Sequence, residues 1–123
     1  MPFETGLFFG AKRFGAGQQK RKVALILDKT SYRYRNSLSD ISGQDISIHG
    51  GIAKSAIREV RDWLSACQAG KSSTLPGGDH INGQYQRFSR DLPEASKRRK
   101  LNASELTYPD TCSAIEAWLK DNG

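Results

Sequence analysis

The chain of 123 residues is 37% hydrophobic and 26% charged, with a formal net charge of +6 at pH 7, which fits a soluble domain or part of one. No apolar run approaches the roughly 20 residues that span a membrane, and the first residues lack the charged start and long apolar core of a signal peptide. Cys67 and Cys112 lack metal-ligand spacing, so we expect reduced cysteines and a cytoplasmic location.

The first predicted element is a short apolar helix at the start of the chain. Pro2 suits the first turn of a helix, and Glu4 lies in that turn, where the helix dipole favours negative charge. Phe3, Leu7 and Phe14 follow at helical spacings. Glu4 therefore has a purely structural interpretation, stabilisation of the helix start, beside any chemical one.

A continuous apolar run, residues 23–27, ends at Asp28. Such a run is typical of a strand that is buried on both faces of a parallel sheet. A second and weaker strand pattern spans residues 45–49, and two strands cannot bury that run on both faces. We therefore expect the chain to be the C-terminal part of a larger α/β domain, or its sheet to be completed by another chain.

Polar and aromatic side chains follow the first predicted strand, at the end where open α/β sheets bind their ligands. Tyrosines that alternate with arginines can stack on a base and hold a phosphate, or they can form an ordinary loop over the sheet edge. The candidate substrate-binding residues are Asp28, Tyr32, Arg33, Tyr34, Asp40, Gln44 and Asp45.

The rest of the chain is predicted to be helical. Residues 52–69 carry apolar side chains every three or four positions, which predicts an amphipathic helix. After a connector at residues 71–78, which lacks a phosphate-loop signature, a second helical pattern runs to Leu92, and Pro93 is expected to break this helix or to begin another. Capping-box spacing occurs at residues 102–105 and again at Thr107, ahead of a last helix over about residues 109–120.

The positive charge is concentrated in the first half of the chain. Residues 1–60 hold 10 Lys/Arg against 5 Asp/Glu, and residues 61–123 hold 9 against 8. A basic excess of this kind suits a nucleic acid or a phosphate-bearing small ligand. It also suits a solvated turn, which is the simpler interpretation of the run at residues 20–22.

The segment Phe3-Glu4-x-Gly6-Leu7, followed by a glycine-containing turn and a buried strand, resembles the glutamate-bearing helix of nucleoside 2-deoxyribosyltransferases and Toll/interleukin-receptor (TIR) domains. A wider set of motifs, over residues 1–119, is similar to a group of bacterial TIR-like proteins. The motifs are Met-Pro-Phe-Glu-x-Gly-Leu, Leu-Ile-Leu-Asp, Tyr-Arg-Tyr, Ser-Asp-Ile-Ser-Gly-Gln-Asp-Ile, Arg-Glu-Val-Arg-Asp-Trp-Leu and Leu-Pro-Gly-Gly.

The resemblance implies an α/β fold with a partial flavodoxin-like or TIR-like parallel sheet of one or two strands and a helical C-terminal half. Residues 1–70 would be the C-terminal portion of a TIR-like nucleotide-binding unit, and residues 71–123 a helical extension packed on it. In the similar group the Met-Pro-Phe-Glu segment is internal, and the strands and helices before it complete the nucleotide-binding half. The polypeptide alone is therefore expected to be inactive or to need a partner chain.

The resemblance also implies a chemistry. In the better-known relatives the helix glutamate acts at the anomeric carbon of a ribosyl group, and the N-glycosidic bond of a nucleoside or of NAD is cleaved. Glu4 is the residue that matches this catalytic position, as a nucleophile or as a stabiliser of an oxocarbenium-like transition state. Thr5 departs from the apolar residue, usually leucine, expected beside it. NAD is then a candidate substrate, with no cofactor and no metal.

Two other hypotheses stay open. One is a non-enzymatic interaction or assembly domain, in which Glu4 only stabilises the helix start and an exposed strand edge invites self-association. The other is a small basic nucleic-acid-binding protein, which rests on charge and on residues 32–35 alone.

Overall fold

The computed structural model describes residues 2–31, 46–68 and 74–123. The chain divides into two compact units, Met1–Leu75 and Pro76–Gly123; the boundary expected after residue 70 falls among residues 69–73, outside the described part. Helices predominate, and the described strands form a two-stranded parallel sheet. The prediction of a mainly helical α/β chain is confirmed, and its flavodoxin-like assignment stays a prediction.

The first unit begins with helix α1 (Pro2–Phe14), which is followed by a 3-10 helix, Gly17–Arg21. An acidic residue in the first turn of α1 and basic residues in its last turn complement the helix dipole. The rings of Phe8 and Phe9 meet edge to face with centroids 5.6 Å apart. The ammonium group of Lys22 lies 5.6 Å from the centroid of the Phe8 ring, which holds the end of the 3-10 helix against α1.

Strands β1 (Ile26–Asp28) and β2 (Ile46–Ile48) pair in parallel. The register places Ile26 opposite Ile46 and Asp28 opposite Ile48. β1 begins three residues later than the predicted strand at 23–27, and residues 22–25 lead into it without belonging to a strand.

In the described part of the chain the apolar run is not buried on both faces, which agrees with the argument that two strands cannot bury it. Val23 is 56% exposed, and Leu25, Ile26 and Leu27 are only half-buried. A two-stranded sheet offers helices little surface to cover, and the other edge of β1 has no neighbour among the described strands.

Helix α2 spans Ala53–Cys67, within the predicted 52–69. The helix is confirmed, but its apolar side is only partly covered, since Ile57 and Trp63 are half-buried while Val60 and Leu64 are 36% and 38% exposed. Its C-terminal side is fixed by the following segment, where Nη2 of Arg61 donates a hydrogen bond to the carbonyl oxygen of Leu75 at 3.2 Å.

The second unit consists of helices α3 (Gly78–Arg98) and α4 (Tyr108–Asn122). The expected break at Pro93 is wrong, since α3 continues through it for five further residues to Arg98. A proline removes one N–H donor from the helix ladder, but α3 is held on both sides of it. Phe88 packs edge to face on Trp118 of α4, 5.9 Å between centroids, and Ser96 is buried.

The start of α4 confirms one predicted cap. Thr107 Oγ1 accepts the N–H of Asp110, and the Asp110 carboxylate accepts the N–H of Thr107 at 3.1 Å. The other predicted capping box, at residues 102–105, is wrong because no helix starts there. Asn102 Oδ1 instead accepts the N–H of Ser104 at 3.1 Å, which makes a turn.

The core is shallow in both units. Among the described residues, none of the larger side chains is fully enclosed, and the buried ones are Ser96, Asp28 and Trp118 at 3%, 7% and 9% exposure. Two of the three are polar, so the described residues of each unit do not form the enclosed apolar centre of an ordinary domain.

Candidate functional site

The carboxyl ends of the two strands bring Asp28 and His49 to one edge of the sheet. Asp28 Oδ1 accepts the N–H of Lys29 at 2.7 Å, and the carbonyl oxygen of Asp28 accepts the N–H of His49 at 3.0 Å. His49 Nδ1 accepts the N–H of Gly51 at 3.2 Å. This is the edge at which open α/β sheets bind ligands.

The eight predicted site residues fall into three groups. Glu4 is exposed in the first turn of α1, as its structural interpretation requires. Asp28 is buried at the end of β1. The other six lie outside the described residues, so their convergence stays a prediction; they are Tyr32, Arg33, Tyr34, Asp40, Gln44 and Asp45.

His49 ends the weaker predicted strand and is not among the predicted site residues. Its position beside Asp28 follows if the two predicted strands pair in parallel, because the carboxyl ends of parallel strands lie at the same edge of a sheet. The turn that follows needs positive φ at Gly50 and Gly51, 63° and 78°, a conformation that glycine adopts readily. The side chain of Lys29 runs along Gly51, with Cε 3.0 Å from where a β-carbon would stand.

Helix α1 presents a second candidate surface, an apolar face that the described residues leave uncovered. Phe3 is 74% exposed, Leu7 60% and Phe14 84%, and they lie on one side of the helix. Phe8 and Phe9, on other sides of the helix, are half-buried. We call Phe3, Leu7, Gly10 and Phe14 the α1 outer stripe.

A groove of about 560 Å³ lies beside α1 within the first unit. Its lining combines apolar side chains of α1, β1 and α2 with one lysine of α1 and two carboxylates of α2. The lining residues that matter here are Phe9, Lys12, Leu25, Glu59, Asp62 and Trp63. The groove is open, which suits a chain segment rather than an enclosed small molecule.

The perturbed pKa values lie in the second unit, on side chains that fix the helices. The Trp118 indole N–H donates to Asp91 Oδ2 at 3.0 Å and, with Arg90 and Arg87 adding attraction, lowers the pKa of that carboxyl. The hydroxyl and backbone N–H of Thr107 lower the pKa of Asp110. A hydrogen bond with Cys112 raises the pKa of the Tyr108 phenol.

A cleft of about 490 Å³ between α3, α4 and their connection includes Trp118 and Ser96 in its lining. Ser96 Oγ is buried and has no hydrogen-bond partner among the described residues. Arginines and carboxylates alternate around the cleft, so it has no dominant sign of charge.

In the described ranges, no group of three or more His, Cys, Asp or Glu side chains is placed to hold a metal ion. The helices of those ranges are also too short or too polar to cross a bilayer. Compared with known proteins, the chain matches no family model, no curated protein and no solved structure.

Proposed function

We propose that the chain is a protein-interaction module whose first unit is completed by another polypeptide. The observation that carries the proposal is the α1 outer stripe, where Phe3, Leu7 and Phe14 are 60–84% exposed. Burying each of these three side chains would contribute about 1.5–3 kcal/mol of stabilising free energy, which is absent while they are in water. A contiguous patch of this kind is typical of an interaction surface.

The open edge of β1 supports the same function. The carbonyl of Asp28 faces β2, because His49 donates to it. Alternate residues of a strand present their backbone groups to opposite edges, so Leu27 directs its N–H and C=O away from β2. No described strand pairs there, and a sheet of two strands is marginal in water. An added strand would stabilise it.

The test is photo-crosslinking of the full chain in its own cells. A benzophenone-bearing phenylalanine replaces Phe14, which keeps an aromatic ring at a position that is 84% exposed. The matched control carries the same group in place of Tyr108 of α4, which is 82% exposed. We expect discrete protein adducts from position 14 and not from position 108.

Equal labelling from both positions would mean that exposure alone causes crosslinking, and the proposal would fall. Absence of protein adducts from position 14, in a folded chain, would also overturn it. The mass of the adduct then shows whether the partner is a second copy of the chain or a different protein.

A second candidate function is an N-glycosidase of the TIR-like or deoxyribosyltransferase-like type, acting on NAD or a nucleoside once a partner completes the site. It is favoured by the buried carboxylate of Asp28 at the carboxyl end of a parallel strand. Glu4 would act at the anomeric carbon while water replaces the base. With the partner identified by crosslinking added, we expect turnover that Glu4→Gln abolishes and that Glu105→Gln, in the other unit, leaves unchanged. Measurable and equal turnover by the two variants would exclude Glu4 as the catalyst.

A further inference from the structure

We draw no further inference here: the strongest candidate, the cleft of about 490 Å³ between α3, α4 and their connection, carries none, because the unpartnered Ser96 hydroxyl in its wall is closed to solvent and the side chains of both charge signs around it favour no class of ligand.

Discussion

At the scale of single residues, the second unit depends on a few polar contacts at helix ends. Thr107 and Asp110 satisfy each other's backbone N–H groups at the start of α4. Asp91 accepts the indole N–H of the buried Trp118. Such contacts count for more here than in a well-packed domain, because the shallow core contributes little else.

Replacing Thr107 with alanine removes the hydroxyl that accepts the N–H of Asp110. We expect the free energy of unfolding to fall by about 1 kcal/mol, measured by urea denaturation. Thr107→Ser keeps the hydroxyl and should lose much less. Ser113→Ala, at an exposed position of the same helix, controls for helix propensity and should not destabilise.

The lowered pKa values of Asp91 and Asp110 link stability to pH. A carboxyl whose folded pKa lies below its unfolded value of about 3.8 stabilises the fold above that pH, and the contribution disappears as pH falls through the folded pKa. The urea midpoint should therefore decline below about pH 4. Trp118→Phe keeps an aromatic ring but removes the indole donor, so the decline should become shallower; an unchanged slope would contradict this assignment.

At the scale of elements, the hydrogen bonds at helix ends, more than the sequence of helix middles, show which residues set the length of a helix. α3 passes through Pro93 but ends two turns later in a left-handed residue, Lys100, with φ of 58°. The carbonyl of Ser96 accepts the N–H of both Arg99 and Leu101 around this residue, which is the hydrogen bonding of a helix C-terminus.

Lys100→Gly should stabilise the chain, because the left-handed conformation raises the energy of a residue with a β-carbon by about 1 kcal/mol. The greater freedom of glycine in the unfolded chain offsets part of this gain. Arg99→Gly, one residue earlier at φ of −88°, relieves no strain and should destabilise. The measurement is the midpoint of thermal unfolding of each variant, compared with that of the unmodified chain. A lower midpoint in both variants would refute the prediction.

The accuracy of the sequence-based predictions also differs between the helices, the strand and the helix caps. Periodicity found α2 and α3 because apolar residues recur there every three or four positions, although those of α2 are at most half-buried. It placed β1 three residues early, because pairing with β2 rather than hydrophobicity decides which residues form the strand. Local spacing found the cap at Thr107 but also predicted a false one at Asn102, since an Asx turn uses the same side-chain oxygen.

At the scale of the whole molecule, a partner on the α1 outer stripe, as proposed above, would add to the stability of a chain whose described core is shallow. A partner that binds only the folded chain raises its apparent stability by mass action. The midpoint of thermal unfolding should therefore rise when the partner identified by crosslinking is added to the purified chain. A midpoint that stays constant on this addition would show that association contributes nothing to folding.

The predicted site was only partly accessible to sequence reasoning at this scale. Asp28 at a strand end followed from the apolar run before it, whereas its neighbour His49 required knowledge of which strands pair. Glu4 was identified from a local motif, and a local motif carries no information about what faces the side chain in three dimensions. The same limit applies to α1, where the outer stripe is recognisable only once Phe8 and Phe9 are known to be the better buried phenylalanines.

Ser96 has a consequence for how this sequence can evolve. Its hydroxyl is enclosed and has no partner among the described residues, so it keeps the full cost of leaving water, about 1–3 kcal/mol. Alanine at this position would remove that cost and fill nearly the same volume, and a rise in the urea midpoint of Ser96→Ala would show it. A single substitution can therefore raise the stability of the chain, and the gain would let it tolerate destabilising changes elsewhere, for example on the α1 outer stripe.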